Sequence, residues 1–200
     1  MNNCYLDAEA VITFFRMTGR KHIFITGSRG SGKSHLVNNM LKHMSDSFNL
    51  LQSHRTDTPQ VVIKSNLVAD NKEFVIGVPR TSGINPASKG NNMTIIEDGF
   101  INCAIPAIDT HLDTTPERLF VIDELGYLES SCIPFQKAVE KLLDNSHVLA
   151  VIRKQSTEFL NRICNRKDVL VIDIDSTFET LSCIIMASGM SKRFGSNKLI

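Results

Sequence analysis

Four short stretches of the chain are apolar almost without interruption: His22-Ile23-Phe24-Ile25, Leu119-Phe120-Val121-Ile122, Val148-Leu149-Ala150-Val151-Ile152 and Val169-Leu170-Val171-Ile172. A strand wetted on one face alternates apolar and polar residues, whereas a strand covered on both faces does not. The four runs are therefore expected to be buried strands of a parallel sheet. A different period lies beside them. Val37, Met40, Leu41 and Met44 fall at i, i+3, i+4 and i+7 after the first run, the spacing of one helix face. Phe135, Ala138, Val139, Leu142 and Leu143 repeat it after the second, with Pro134 suited to a first helical turn. After the third, Ser156 is placed to cap a short helix that turns Phe159 and Ile163 inward. Strand and helix in alternation predict an α/β fold with right-handed crossovers.

Two regions break the rhythm. Residues 6–18 predict a helix ahead of the first strand, with Asp7 as N-cap, Val11, Phe14 and Phe15 facing inward and Gly19 ending it. Residues 45–97 are rich in Asn, Thr, Gly and Pro, with short β-like runs at 60–64, 74–78 and 93–96. They predict an antiparallel insertion or hairpin, followed by a short helix over 100–112 that Pro106 bends or interrupts.

Composition narrows the class. The chain has 200 residues, of which 42% are hydrophobic and 22% charged, enough for a substantial core and too apolar for wholesale disorder. Lys and Arg number 22 against 21 Asp and Glu, a net charge of +1, so bulk charge predicts neither a nucleic-acid coat nor a membrane-surface protein. No run reaches the roughly 18 apolar residues of a membrane span. The first residues lack the basic and apolar regions of a signal peptide. The 5 cysteines (4, 103, 132, 164, 183) form no Cys-x-x-Cys pair and suit reduced thiols, so a cytoplasmic location is expected. The 6 histidines (22, 35, 43, 54, 111, 147) show no metal-ligand spacing.

The chemistry begins directly after the first strand. Gly27-Ser28-Arg29-Gly30-Ser31-Gly32-Lys33-Ser34 fits G-x-x-x-x-G-K-[ST], the P-loop. Glycines let the backbone curl so that successive N–H groups face inward and form a nest for phosphate oxygens. The helix that follows adds its own unpaired N–H groups and positive dipole end. Residues 27–35 are thus the expected nucleotide site, with Lys33 reaching the β- and γ-phosphates and the Ser34 hydroxyl binding Mg²⁺. Arg29 is expected to face solvent, and His35 to lie on the helix surface with its N–H near the α-phosphate.

The second strand ends in Asp123-Glu124. An apolar strand ending in an acid is common, and its bland reading is a cap for the next turn. After a P-loop it becomes a Walker B sequence. Asp123 is then expected to hold Mg²⁺ at the sheet's ligand-binding edge, and Glu124 to orient or deprotonate the attacking water.

With both motifs in place, the chain resembles the P-loop nucleoside-triphosphatase family first known from thermophiles, over about residues 21–181. The similarity is strongest in Phe120-Val121-Ile122-Asp123-Glu124-Leu125-Gly126-Tyr127-Leu128-Glu129, where that family shows Asp-Glu-Ile-Gly-x-Met-Glu. The resemblance implies a three-layer P-loop NTPase fold with a mainly parallel sheet and a β-rich insertion between the P-loop helix and Walker B. It implies Mg²⁺-dependent hydrolysis of nucleoside triphosphates, with residues 27–34 as phosphate site, Asp123 beside the metal and Glu124 as base. Glu129 matches without a clear role beyond a helix N-terminal acid. Arg153, at the end of the third run, is either a γ-phosphate sensor or a surface residue.

Residues 182–200 read differently. A strand-like Ser182–Ala187 run leads into Ser188-Gly189-Met190-Ser191-Lys192-Arg193-Phe194-Gly195-Ser196-Asn197-Lys198, which is similar to the opening of molybdenum-cofactor nucleotidyltransferases. Gly189, Arg193 and Lys198 match that family's nucleotide-holding positions. The expected organisation is a helical extension at 1–20, the NTPase domain at 21–181 and the incomplete start of a second domain at 182–200. Two other functions stay open. One is a small-molecule kinase with Arg162, Arg166 and Lys167 as a basic lid. The other is a nucleotide switch serving a transferase domain.

Overall fold

A computed structural model of the chain describes residues 6–44, 47–80 and 93–175. In chain order the elements are α1 (Ala8–Thr18), β1 (His22–Gly27), α2 (Lys33–Met44), β2 (Phe48–Arg55), β3 (Val61–Ser65), β4 (Phe74–Pro79) and β5 (Met93–Ile95). Then come α3 (Glu97–Gly99), a π-helical turn (Phe100–Ala104), α4 (Ile105–Thr114), β6 (Leu119–Leu125), α5 (Ile133–Asn145), β7 (His147–Arg153), α6 (Glu158–Cys164) and β8 (Val169–Asp173). The strands form one eight-stranded sheet in the order β5-β4-β3-β2-β6-β7-β1-β8. From β2 to β8 the pairing is parallel, and β3, β4 and β5 extend it antiparallel.

The uninterrupted apolar runs have the predicted cause. Along a strand, side chains alternate between faces. Phe24, Phe120, Ile122, Val148, Ala150 and Ile152 point into one buried cluster with Phe100, Phe135, Val139, Leu142 and Ile163 of the helices that cover that face. Their neighbours Ile23, Ile25, Val121, Leu149 and Val151 point into a second cluster, with Val11, Ile12, Leu36, Val37 and Met40 of α1 and α2. The result is three layers, helix–sheet–helix. Asp7 caps α1 by accepting from the Ala10 N–H at 2.9 Å, and Gly19 ends it at φ +63°, both as expected. Phe14 and Phe15 are only partly buried.

Three expectations need correction. The region after α2 holds one more strand than predicted. β2 runs parallel to β6 at the heart of the sheet, and only the strands beyond it form the antiparallel insertion. Its polar residues hid it, because Asn49 is buried and bonded rather than wet. The Asn49 amide donates to His111 Nδ1 and to Thr115 Oγ1, both at 2.8 Å, so His111 carries its proton on Nε2 and donates to Ser146 Oγ at 2.6 Å. The helix expected over 100–112 is a longer helical stretch from Glu97 to Thr114, and Pro106 follows the π-helical turn. A wide turn there gives the proline ring room against the carbonyl one turn back, so the stretch continues. Thr157, not Ser156, caps α6, accepting from Leu160 N–H at 3.1 Å. Residues 182–200, with Gly189, Arg193 and Lys198, lie outside the described residues. Among those described, no helix is long and apolar enough to cross a membrane.

Candidate active site

The P-loop leaves β1 at the carboxyl edge of the sheet and delivers the chain into α2. Glycine is needed where the loop turns. Gly30 and Gly32 have φ +79° and +94°, and a Cβ on Gly27 would stand 2.7 Å from Ile174 Cγ1 and 2.8 Å from Ser31 Oγ. Lys33 folds back over the loop and donates from Nζ to the carbonyls of Gly27 and Ser28, each at 2.9 Å. The Ser31 hydroxyl is buried without a hydrogen-bond partner among the described residues. Arg29, Ser34 and His35 are exposed. The entry to the loop is tied to β8: Asp175 accepts from Ser28 N–H at 2.8 Å and from Ser28 Oγ at 3.0 Å. Lys154 binds Asp173 at 2.8 Å and Asp175 at 2.9 Å.

The acid pair ends β6 on the same edge. Asp123 is half-buried, and burial pushes its carboxyl above the ordinary range. The Gln52 amide, donating to Asp123 Oδ2 at 3.4 Å, and the Lys33 charge pull it back, while Glu124 adds to the rise. The electrostatics thus link the acid strand to the P-loop lysine. Glu124 turns to the cleft and its Oε1 accepts from Arg153 Nε at the end of β7. The peptide bond between Asp123 and Glu124 is cis. Glu129 is no simple helix-end acid. It is buried, accepts from the Gly126 N–H at 2.9 Å, and closes the turn that follows β6. Burial raises its carboxyl, and that N–H bond works against the rise.

P-loop and acid strand converge on a cleft of about 850 Å³ lined by residues 27–35, 53–55, 124 and 153–155. That is within the usual size for a small-molecule site. A chamber of about 100 Å³ opens off it and shares Ser53, His54, Arg55, Glu124 and Arg153 as its wall. Of the two residues expected to bind a cation, Ser34 lines the cleft and Asp123, half-buried, is not among its lining residues. Among the described residues no group of three or more His, Cys, Asp or Glu side chains is gathered closely enough to hold one alone.

The proposed lid lies elsewhere. Arg162 binds Glu140 and Gln136 of α5. Arg166 binds Asp144 and Asp168, and the Asp168 carbonyl accepts from the first residue of β1, at the edge opposite the P-loop. Arg162 and Arg166 are thus engaged by acids and an amide of their own fold, away from the cleft. Residues 52–55, Lys154 and Asp175 lie outside both sequence motifs. Acids at 173 and 175 directly after an apolar run were a usable signal, whereas the end of β2 offered none.

A family model described as NTPase matches residues 22–179. A nucleoside-triphosphatase THEP1 from Thermotoga sp. (strain RQ2) is 26% identical over 155 residues, which cover 76% of this chain and 86% of the relative. The protein of the same name from Thermotoga maritima is 23% identical over 154 residues, with the same coverage of 76% and 86%. Among solved structures, the crystal structure of THEP1 from Aquifex aeolicus superposes with a TM-score of 0.61 at 18% identity, covering 82% of this chain and 96% of that one. The solution structure of a human cancer-related nucleoside triphosphatase does so at 0.57 and 19%, covering 84% and 99%. The likeness to these two shows the fold.

Proposed function

The chain belongs to the NTPase family, and we propose that it hydrolyses nucleoside triphosphates to diphosphate and phosphate with the phosphates in the P-loop and Glu124 as general base. The observation that carries this reading is the shared cleft, in which the P-loop after β1 and the Glu124 carboxylate of β6 meet across the end of β7. Loop N–H groups and the start of α2 offer positive potential, and the Ser31 hydroxyl lacks a partner that a phosphate oxygen can supply.

Lys33 leaves the carbonyls of Gly27 and Ser28 for the β- and γ-phosphates, where it stabilises the charge of the transferring group. Glu124 takes the proton of the attacking water as its oxygen bonds to the γ-phosphorus and the bond to the β-phosphate oxygen breaks. Ser34 and Asp123 would hold Mg²⁺ together with phosphate oxygens and water, which suits an ion that keeps few protein ligands. Bound there, it supplies neutralisation of phosphate charge. The resemblance of 182–200 to a nucleotidyltransferase opening keeps a second reading, a non-enzymatic nucleotide switch that serves a transferase domain.

A phosphate-release panel across nucleoside triphosphates, with and without Mg²⁺, tests the proposal. Release that requires Mg²⁺ is expected. Consumption only on addition of an organic acceptor would favour a kinase, and binding without turnover would favour a switch. Lys33→Ala should weaken triphosphates far more than nucleosides, and unchanged triphosphate affinity by calorimetry would remove Lys33 from the site.

A further inference from the structure

We infer that Arg153 is the residue by which the site tells a triphosphate from a diphosphate, by exchanging Glu124 for the γ-phosphate. The inference rests on the placement of phosphates in the P-loop proposed above. Three observations lead to it. β7 lies between β1 and β6, and its last residue, Arg153, is in register with Gly27, the first residue of the P-loop. The same guanidinium bonds Glu124. It therefore stands between the phosphate loop and the carboxylate proposed as base.

The side chain is held at its stem and bonded at its head to Glu124 beside solvent. A Cβ on Gly126 would lie 3.5 Å from both Cβ and Cδ of Arg153, so the stem rests on the turn after β6. The side chain is 52% exposed and that of Glu124 is 28% exposed, so the pair borders solvent. An ion pair so placed is weak and easily given up. A γ-phosphate offers more, because its oxygens accept two parallel bonds from the planar guanidinium and carry greater charge than one carboxylate.

The other cations lining the cleft are less suited. Lys154 is engaged by Asp173 and Asp175. Lys33 lies over the loop carbonyls. Arg29 and Arg55 line the cleft, but neither has a bond to Glu124. With a diphosphate bound, Arg153 stays on Glu124. With a triphosphate bound, it moves to the γ-oxygens, and the carboxylate is released to face water. No bond is made or broken in this step beyond the exchange of hydrogen-bond partners.

The test is a binding cycle that does not depend on turnover. Affinities for ADP and for the non-hydrolysable β,γ-imido analogue of ATP are measured by calorimetry with Mg²⁺. The proteins are the full chain, Arg153→Gln, Glu124→Gln and the double variant. Arg153→Gln should lose about tenfold or more for the triphosphate and under about twofold for ADP. Glu124→Gln should tighten the triphosphate alone, because the guanidinium no longer has a carboxylate competing for it. That gain should vanish when Arg153 is also replaced.

Equal losses for both nucleotides, or none, would overturn the inference. So would a Glu124→Gln gain that persists in the double variant, since it would come from removing a repelling charge alone. If Arg153→Gln melts before titration, Arg153→Lys carries the same comparison, keeping the charge without the fork. The two proposals fail separately. Loss of NTP hydrolysis in the panel leaves the affinity ratio standing, and an unchanged ratio leaves hydrolysis standing.

Discussion

Glu124 and a glutamine in its place share length and a hydrogen-bonding end, and differ in the capacity to take a proton. Glu124→Gln should therefore still bind triphosphate at least as well as the unaltered chain, since the loop, Ser34 and Asp123 are untouched. Turnover should fall by about 10²- to 10⁴-fold, the usual worth of a positioned general base. That is roughly 3 to 5 kcal/mol on the barrier. Single-turnover phosphate release, read beside affinity and melting temperature, decides the matter. Near-normal release with a lowered melting temperature would make Glu124 a structural cap. The motif was legible at this scale, since Gly27–Ser34 and Asp123-Glu124 are contiguous in the chain. The engagement of Glu124 by Arg153 was not, because 29 residues separate them.

At the scale of elements, α6 shows how one residue ties a short helix to the site. Thr157 accepts from Leu160 N–H at the helix start and donates from Oγ1 to Ser130 Oγ at 3.0 Å, in the turn that follows the acid strand. Thr157→Ala should cost about 1 kcal/mol, the usual value of an N-cap. For a chain of this size that lowers the melting temperature by roughly 2–4 °C. Ser156→Ala, which removes a hydroxyl that accepts from the exposed Asn161 amide, should stay within about 0.5 kcal/mol. Thermal melting of the two variants side by side checks the assignment, and a larger effect at Ser156 would reverse it.

The stability of the whole molecule carries a mark of its sheet edge opposite the P-loop. His22 begins β1 fully buried, with Nε2 3.4 Å from Asp168 Oδ2. Burial pushes its imidazole down to about 4, against partial opposition from the Asp168 charge. A base held below its unfolded value of 6.5 binds fewer protons in the folded state. Its contribution is complete above pH 6.5 and is lost as pH falls from 6.5 toward 4. The loss is on the order of 3 kcal/mol. Asp168, held down to about 2 first by its bonds from Arg166, loses its own contribution only below its ordinary value of 3.8. His111, also lowered by burial, acts in the same direction, and the raised carboxyls of Asp123 and Glu129 act against it, so His22 carries one share of the change between pH 6.5 and 4. His22→Phe should make denaturant-measured stability fall less steeply with acid in that window, and an unchanged slope would remove His22 as a contributor.

By itself the sequence determined the α/β class, the buried parallel strands, the P-loop motif and the acid pair. Each is written in neighbouring residues, whether as an apolar run, a helical period or a contiguous motif. Only the tertiary structure decided the rest. β2 has neither an unbroken apolar run nor a regular alternation, and reads as loop until β6 lies beside it and His111 and Thr115 satisfy Asn49. The basic residues at 162 and 166 leave a lid open as an alternative until their acidic partners from α5 and from just before β8 are in place. The bond between Arg153 and Glu124 exists only because β7 is threaded between the P-loop strand and the acid strand. Local pattern records what one residue requires of its chain neighbours. Pairing of charges and satisfaction of buried polar groups depend on residues brought from far along the chain, and those arrive only when the sheet is ordered.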